Sequence, residues 1–452
     1  MLTEFLGPAR SICPVCLKPL LGQYLRDRKG NVYLDRVCPE HGETREIVWE
    51  GDLDWLAWAE GDSIDAESFG SQEVMRDSHL SSNDLCPQGC ETCPLHATRP
   101  CCVLLEVTRR CNLGCPVCFA GTDASTAASG DPSLETIERW YDRVYEQAGF
   151  ANLQFSGGEP TVRDDLPEII RMGRDKGYTF FQINTNGLRL AHDRAYLREL
   201  KDAGASCVFL QFDGVDDDVY RTVRGRPLLA EKMAAIDACA EERMPVVLVP
   251  TVARGVNDGQ LGDIVRFALE RAPFVRGVHI QPLARFGRFS PEVAGHITIP
   301  GVLAELERQT DGMVKRSHFR GGEAESVYCS FSASYRIDGD ELVHLPSAKP
   351  LCCGAMNDPD AVFRARRTNS LRWGTDLDLL DTVPEPGSLD AFLVESRRNA
   401  FSITGMEFMD AETLDLERLE RCYVFIADDD GKLFPFCAYN LTARDGRPLY
   451  RK

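Results

Sequence analysis

The stretch CVLLEVTRRCNLGCPVCFA, residues 102–120, decides how this chain is interpreted. Its opening run, CVLLEVT, is apolar and predicts a buried strand. The residues that follow place three cysteines, Cys111, Cys115 and Cys118, in one short loop. A four-iron cluster usually takes four thiolate ligands, so three cysteines leave one iron free to bind a substrate or a cofactor. The alternative is a zinc site with three thiolates and a water.

Strand-like and helix-like segments alternate from residue 103 to residue 290. The strand-like runs are CVLLEVT (102–108), NLQFSG (152–157), TFFQINT (179–185), SCVFLQF (206–212), PVVLVPTV (245–252) and VRGVHIQPL (275–283). The segments between them carry apolar residues at three- and four-residue spacing, as amphipathic helices do. Successive βα units predict an α/β fold with a parallel sheet, closed into a partial (β/α)6 barrel whose active site lies at the carboxyl ends of the strands.

The segments around this barrel predict a chain of four parts. These are a metal-knuckle module (1–50), a connector with an auxiliary cluster segment (51–102), the partial barrel (103–290) and an irregular α+β domain with further cluster cysteines (291–452). Within the last part, YVFIADDDGKLFPFCAYN (423–440) predicts a β-hairpin, because Asp-Gly lies between two apolar runs.

Composition narrows the possible functions. The chain has 452 residues and a formal net charge of −19, which argues against a protein that neutralises nucleic-acid phosphates. No apolar run approaches 20 residues, and the N-terminus lacks the pattern of a signal peptide. We therefore expect a cytoplasmic protein, and peripheral contact with a membrane stays open.

The first group of cysteines predicts a mononuclear metal site. CPVC (13–16) and CPEHG (38–42) are two Cys-Pro turns separated by a strand-like segment. Two close ligands on each of two turns are typical of zinc ribbons and rubredoxin-like knuckles. The expected ligands are Cys13, Cys16, Cys38 and His41. This donor set suits zinc, and iron is the alternative.

Two further groups of cysteines suggest auxiliary clusters, because clustered cysteines in a reducing compartment more often bind metal than form disulfides. The first candidate set is Cys86, Cys90 and Cys93, with Cys101 or Cys102 as the fourth ligand. The second is Cys329, Cys352 or Cys353, Cys422 and Cys437, whose wide spacing makes the grouping depend on the fold. Cys207 and Cys239 stand alone, and we expect them to be small core residues.

Polar residues follow successive strands of the predicted barrel and point to one cavity. SGGEP (156–160) contains paired glycines, which let backbone approach a ligand closely. The candidates are Gly157, Gly158 and Glu159 after the second strand, Asn184 and Asn186 after the third, Gln211 and Asp213 after the fourth, and Thr251 after the fifth. Such residues also merely cap turns in many proteins.

The combination of CxxxCxxC, a following aromatic residue (Phe119) and GGEP resembles the radical S-adenosylmethionine (SAM) superfamily. The resemblance implies that the open iron chelates SAM and that one electron cleaves it to a 5′-deoxyadenosyl radical, which abstracts hydrogen from unactivated carbon. It also implies that the strand-end residues above, with Phe119, line the SAM and substrate site. Arg221 and Arg224 either contact the SAM carboxylate or pair with the acidic run 216–218.

Three segments together resemble a narrower family. CPVC…CPEHG, CPQGCETCPLH…CCVLLEVTRRCNLGCPVCFA and GMEFMDAETLDLERLERC…DGKLFPFCAYN are similar to the tetraether lipid synthases and their relatives, some described as class D radical SAM methylases. The resemblance implies three [4Fe–4S] clusters, SAM and one mononuclear zinc or iron. It also implies a reducing partner such as ferredoxin or flavodoxin. The region 290–400, which should shape the substrate site, matches nothing in that family.

Three hypotheses follow. The first is an enzyme that abstracts hydrogen from an sp³ carbon and forms a C–C bond, on lipid chains. The second is a radical SAM methylase or oxidoreductase acting on a small metabolite, such as a pterin-like cofactor. The third is an electron-transfer protein, which the three-cysteine loop and GGEP oppose because a carrier needs no SAM site. Glu106 is expected to pair with Arg109 or Arg110 rather than to act in catalysis.

Overall fold

The fold was taken from a computed structural model of the chain. The structure describes residues 2–59, 86–90, 96, 98–122, 130–290, 293, 295–322, 324–339, 341–346 and 359–451. Within these residues the strands form a four-stranded sheet and a 13-stranded sheet. Cys93, Cys352 and Cys353 lie outside the described residues.

The N-terminal sheet is antiparallel, and its strands follow one another in chain order. It consists of β1 (Leu2–Ile12), β2 (Pro19–Asp27), β3 (Val32–Cys38) and β4 (Gly42–Trp49), and a short helix α1 (Trp55–Ala59) follows. Cys13 and Cys16 lie between β1 and β2, whereas Cys38 ends β3 and His41 precedes β4. The two Cys-Pro turns therefore lie at the same end of the sheet.

The second sheet contains the predicted parallel strands. They are β5 (Cys102–Thr108), β6 (Asn152–Gly157), β7 (Phe181–Thr185), β8 (Cys207–Gln211), β9 (Val246–Val249), β10 (Thr251–Val252) and β11 (Val275–Pro282). PVVLVPTV, predicted as one strand, is divided into β9 and β10 at Pro250, which has no backbone N–H to donate to a neighbouring strand.

Residues 291–452 add strands at both edges of this sheet. They are β12 (Arg320–Gly321), β13 (Ser330–Asp338), β14 (Glu341–Leu345), β15 (Ala400–Met406), β16 (Val424–Ala427) and β17 (Leu433–Pro435). β15 pairs in parallel with β11 at one edge, and β16 pairs in parallel with β5 at the other. The sequence predicted an irregular α+β domain here and did not predict that its strands join the barrel sheet. The pairing of β15 with β11 was not visible because β15 lies more than a hundred residues after β11 in the chain. The hairpin predicted at 423–440 is confirmed as β16 and β17.

Helices connect the strands and cover the sheet. They are α2 (Leu134–Ala148), α3 (Leu166–Asp175), α4 (Arg194–Ala203), α5 (Asp217–Arg224), α6 (Leu229–Glu241), α7 (Leu261–Leu269), α8 (Ile299–Gln309), α9 (Pro359–Trp373), α10 (Leu389–Arg398), α11 (Leu416–Glu420) and α12 (Phe436–Tyr439). Single 3-10 turns occupy Pro160–Val162, Asp258–Gln260, Arg316–His318 and Asp378–Asp381.

Two of the helices that follow strands of the large sheet begin at a capping side chain. Ser133 accepts a hydrogen bond from the backbone N–H of Thr136 at the start of α2, and Asp193 does the same for Tyr196 at the start of α4. The apolar residues of α2 and α4, such as Ile137, Val144, Leu197 and Leu200, are buried in the core. Cys207 and Cys239 are buried, as expected of core residues. Among the described residues, no helix combines the length and apolar character that crossing a membrane requires.

Candidate active site

The three-cysteine loop opens into a cavity of about 540 Å³ inside the sheet. Cys111, Cys115 and Cys118 all line this cavity. Burial is the main reason why the pKa of the Cys111 thiol is raised to about 12, and the neighbouring thiols add to it. Three thiolates that line one cavity and influence one another need positive charge to offset their repulsion. An iron–sulfur cluster provides that charge, so the donor set fits a cluster with one open iron.

Arg288 holds the cysteine loop in place, and sequence reasoning missed it. Its Nε donates to the backbone oxygen of Cys115 at 2.9 Å, and its Nη1 donates to that of Thr122 at 3.1 Å. Its backbone also exchanges two hydrogen bonds with Cys118, of 2.8 and 3.0 Å. Arg288 lies 170 residues after Cys118, so local sequence gave no signal for the contact.

The paired glycines pack the second strand end against the base of the cysteine loop. Gly157 has φ +125°, and a Cβ at this position would lie 2.0 Å from the backbone oxygen of Thr108. A Cβ on Gly158 would lie 2.2 Å from the backbone oxygen of Arg110. The N–H of Gly158 donates to Thr108 at 2.8 Å, and that of Glu159 donates to Arg110 at 2.9 Å. Only glycine permits this approach.

The carboxylate of Glu159 is buried and ties the second and third strand ends together. It accepts hydrogen bonds from Thr161 N at 3.0 Å, from Thr161 Oγ1, from Thr185 Oγ1 at 2.6 Å and from Asn186 N at 2.7 Å. Burial raises the pKa of Glu159, while these donors lower it. The structure thus gives Glu159 a positioning role, and its contact with SAM stays a prediction.

Side-chain amides line the middle of the cavity. Gln182 Nε2 donates to Asn184 Oδ1 at 2.6 Å, and Asn184 Nδ2 donates to Gln154 Oε1 at 3.3 Å. Asn186, Gln211 and Thr251 line the same space. Barrel interiors are ordinarily filled with branched apolar side chains, so these amides mark a binding site rather than a packed core.

Lys232 lies behind this site and was not foreseen. It is buried in α6, and its Nζ donates to the backbone oxygen of Asn186 at 2.6 Å and lies 3.4 Å from Gln211 Oε1. Burial lowers the pKa of Lys232 to about 8. The sequence did contain a signal for this residue, because a lysine on the apolar face of a predicted helix is unusual and indicates a buried role. Its charge supports the turn that carries Asn186.

Asp213 does not line the cavity, contrary to the expectation that it binds the cofactor. It forms a buried ion pair with Arg224, whose Nε and Nη2 donate to the two carboxylate oxygens at 2.7 Å each. Arg224 also donates to the backbone oxygen of Val117 at 3.2 Å. Arg221 instead pairs with the exposed Asp218. Only Arg221 therefore pairs with the acidic run, and Arg224 is the one that reaches the cavity.

The structure also shows which partners the charged residues in and after the first strand have. Glu106 is in a structural ion pair, as expected, but its partner is Arg451, whose Nη1 lies 3.0 Å from Glu106 Oε2. Arg109 pairs with Asp429, and Arg110 pairs with Asp131. The ring of Phe119 lines the cavity. It lies 5.7 Å from the ring of Phe436.

Several of the described auxiliary cysteines lie close enough to influence one another. Cys102 lines the cavity, and the nearby Cys101 and Cys422 raise the pKa of its thiol beyond the effect of burial. Cys422 is similarly influenced by Cys437 and Cys329. The sulfurs of Cys86 and Cys90 are 3.4 Å apart. The other ligands predicted for these sets, Cys93, Cys352 and Cys353, fall in the undescribed part of the chain.

The N-terminal metal site is assembled as predicted. One ligand atom from each of Cys13, Cys16, Cys38 and His41 lies within 4.8 Å of all the others. The Nδ1 atom of His41 is 3.6 Å from Cys13 Sγ and 3.4 Å from Cys38 Sγ. Three sulfurs and one imidazole nitrogen in this arrangement fit a tetrahedral zinc ion.

Family models and known relatives agree with this geometry. The Radical SAM superfamily model matches residues 105–268, and the HMPTM N-terminal zinc ribbon domain matches residues 5–50. A 7,8-dihydro-6-hydroxymethylpterin dimethyltransferase from Methanocaldococcus jannaschii is 32% identical over 487 residues, which covers 96% of this chain and 93% of the relative.

More distant relatives match about half of the chain. A probable GTP 3′,8-cyclase from Methanothermobacter thermautotrophicus is 27% identical, covering 56% of this chain and 84% of the relative. A solved structure described as native anSMEcpe with bound AdoMet has a TM-score of 0.38 at 17% identity, covering 47% of this chain and 60% of that one. The chain belongs to the radical SAM superfamily and, within it, to the family of the 7,8-dihydro-6-hydroxymethylpterin dimethyltransferase, with an N-terminal zinc ribbon.

Proposed function

We propose that this protein is a radical SAM methylase that adds a one-carbon unit to a pterin or a closely related heterocycle. The support is the relative named as a pterin dimethyltransferase, which matches almost the whole chain. The partial relatives are named for GTP. Guanine and pterin share a 2-amino-4-oxopyrimidine ring. The second of the three hypotheses therefore replaces coupling of lipid chains as the preferred function.

The observation that carries the proposal is the polar lining of the cavity beside the three cysteines. Side chains from four strands present amides to it: Gln154, Gln182, Asn184, Gln211 and Gln281. Some of these amides bond to one another, but a hydrocarbon chain would leave their remaining donors and acceptors buried without partners, which costs free energy. A volume near 540 Å³ is in the range of sites for small ligands. The lining therefore favours a small heterocycle over a lipid.

A neutral imidazole belongs to the same lining. His279 Nδ1 is 2.7 Å from Thr404 Oγ1, and burial, with the nearby Arg372, lowers the pKa of His279 to about 4. The ring is therefore uncharged at neutral pH and offers the cavity one nitrogen as a neutral hydrogen-bonding group. Such a group suits an uncharged heterocycle.

The residues around the cysteine loop would work by positioning. Bound at Cys111, Cys115 and Cys118, a [4Fe–4S] cluster supplies reductive cleavage of SAM and so a carbon-centred radical. Arg288 and Arg224 fix the loop through its backbone oxygens. Phe119, Gly158, Asn186, Gln211 and Thr251 are the proposed SAM contacts on the cavity wall. A fixed pocket keeps a radical close to its target and away from water.

The test is anaerobic reconstitution followed by product analysis. The enzyme is incubated with dithionite, SAM and 6-hydroxymethyl-7,8-dihydropterin, with a methylene-tetrahydropterin as an additional one-carbon donor. We expect 5′-deoxyadenosine and a pterin heavier by whole CH2 units, and neither product from the Cys115→Ala enzyme. A pterin recovered unchanged while 5′-deoxyadenosine forms would reject the substrate class. No 5′-deoxyadenosine at all would favour an electron-transfer protein.

Two auxiliary clusters are also part of the proposal. The proximity of Cys329, Cys422 and Cys437, and of Cys86 and Cys90, supports them. Three clusters of four irons would give about twelve irons per chain. Iron and sulfide analysis of the reconstituted protein tests this, and a value near four would leave only the SAM-cleaving cluster. The electron donor would be a small reducing protein such as ferredoxin or flavodoxin.

A further inference from the structure

The cavity extends from the cysteine loop to the beginning of β5. Its lining includes Cys111, after the end of β5, and Cys102, at the beginning of β5. The Cα atoms of the first and last residues of β5 are about 20 Å apart, since each residue of a strand advances about 3.3 Å. The cavity therefore runs roughly the length of the barrel, and its far end lies around Cys102.

The helix α9 closes this far end. Arg366 of α9 donates to the backbone oxygen of Ala148 at 2.9 Å and also to that of Pro100. Asn152 Nδ2, at the start of β6, donates to the backbone oxygen of Arg366 at 3.0 Å. These bonds fix α9 across the beginnings of the strands, and its Asn369 and Trp373 line the cavity. This part of the chain resembled nothing recognisable in sequence.

A buried carboxylate, that of Glu325, lines the cavity near Cys101 and Cys102. Glu325 is 8% exposed, lines the cavity and contributes to the electrostatics of Cys101 and Cys102. Its carboxylate accepts hydrogen bonds from the hydroxyls of Ser330 and Tyr423 and from nearby backbone N–H groups. Within the described residues no arginine or lysine forms an ion pair with it.

We infer that Glu325 is the specificity-determining group that binds the 2-amino-4-oxopyrimidine edge of the substrate. This inference rests on the proposed function. The edge carries two adjacent donors, N3–H and the 2-amino group, which match the two oxygens of one carboxylate. A buried carboxylate with only neutral partners gains most from such a ligand, because hydrogen bonds to a charged group are the stronger ones. The hydroxyls of Ser330 and Tyr423 orient the carboxylate.

The aromatic residues of this end complete the site. The rings of Phe209 and Trp373 are 5.9 Å apart and perpendicular, and both line the cavity. Phe209 also lies 5.7 Å from the His279 ring. A flat bicyclic ring can pack against such faces, while its polar edge reaches the carboxylate. The opposite edge then faces the cysteine loop, where the radical would be formed.

The test compares two probes that differ at the recognised edge. 6-Hydroxymethylpterin carries the 2-amino group, and 6-hydroxymethyllumazine carries a carbonyl oxygen there. Binding of each is measured by fluorescence titration of the reconstituted holoenzyme. The wild type is expected to bind the pterin at least tenfold more tightly than the lumazine. Equal binding of the two probes by the wild type would overturn the assignment without any variant.

The variant Glu325→Gln extends the test, and Glu341→Gln, on the exposed β14, is the matched control. Glu325→Gln should weaken pterin binding roughly 10- to 100-fold, as expected for a lost charged hydrogen-bonding pair, with no loss of lumazine binding. Iron content should stay at the wild-type level in both variants, and Glu341→Gln should also keep the wild-type formation of 5′-deoxyadenosine. Unchanged pterin binding, or loss of iron showing that Glu325 serves a cluster, would overturn the assignment.

The two proposals fail in different ways. A wild-type enzyme that methylates the dihydropterin while Glu325→Gln keeps the same KM would reject the role of Glu325 alone. A wild-type enzyme that neither binds nor methylates the pterin would reject the proposed function itself.

Discussion

Arg224 and Asp213 form a buried ion pair with two hydrogen bonds of 2.7 Å, and Arg224 also holds the backbone oxygen of Val117 at 3.2 Å. The pair therefore connects the fourth strand end to the loop that carries the cluster cysteines. Arg224 Nη2 also donates to Thr251 Oγ1 at 3.2 Å, and Asp213 accepts from Thr251 N at 3.1 Å. The fifth strand end is joined to the same pair.

Removing one partner of this pair should disrupt the cluster site. Arg224→Gln leaves the carboxylate of Asp213 buried and unpaired, which costs about 3–5 kcal/mol. We expect lower iron incorporation and a lower melting temperature in anaerobic preparations. The double variant Asp213→Asn/Arg224→Gln should be less destabilised than the sum of the single variants. Arg221→Gln, on the exposed face of the same helix, should behave like wild type, and an equal effect there would contradict the prediction.

Gly158→Ala should remove activity through packing alone. A Cβ at this position would meet the backbone oxygen of Arg110 at 2.2 Å, and backbone cannot yield as a flexible side chain can. The GGE segment and the cysteine loop would have to separate, so we expect at least a tenfold loss of 5′-deoxyadenosine formation. Gly259→Ala is the control, because a Cβ there meets nothing within 4 Å. Full activity of Gly158→Ala would mean that the close approach is not needed.

Loss of zinc should affect the C-terminal cysteines as well as the ribbon. Arg10 of the ribbon pairs with Glu420 at 2.8 Å, and Arg36 donates to the backbone oxygen of Glu412 at 2.8 Å. Both partners lie in the segment that leads to Cys422. Cys38→Ser should therefore abolish zinc binding and also lower the iron content. The measurement is elemental analysis of purified protein.

A surface change in the same turn provides the comparison. Glu40 is half-exposed and pairs only with the exposed Lys18, so Glu40→Gln should leave both metals at wild-type levels. Normal iron in a zinc-free Cys38→Ser protein would show that the ribbon folds and acts independently of the C-terminal segment.

The parts of the fold that follow from local pattern were predictable. The runs at 102–108 and 152–157 match β5 and β6, because each is an apolar stretch bounded by turn residues. The division at Pro250 was missed although the missing N–H was visible in the sequence. The edge strands β15 and β16 were not placed, since their pairing with β11 and β5 depends on contacts across more than a hundred residues.

In the site, too, only the features set by local sequence could be predicted. The cysteines and the paired glycines were identified, because their spacing already implies their chemistry. Arg288 and Glu325 were missed, since each acts on residues that only the folded chain brings near. Asp213 was assigned to the cofactor from its strand-end position, yet its partner Arg224 is eleven residues away on the next helix. Position alone does not reveal whether a carboxylate is already neutralised.

His296 should make stability depend on pH above neutrality. Burial alone would lower its pKa, but Glu407, 3.5 Å away, with Asp410 and Glu46, raises the pKa to about 9. The unfolded chain has a histidine pKa near 6.5, so this contribution is fully present below about pH 6.5 and is lost as the pH rises towards 9. Between pH 6.5 and 9 the free energy of unfolding of the wild type should fall by about 1–3 kcal/mol more than that of His296→Gln. Melting temperatures measured anaerobically across this range, with the exposed His192→Gln as control, test the prediction, and parallel profiles for wild type and His296→Gln would contradict it.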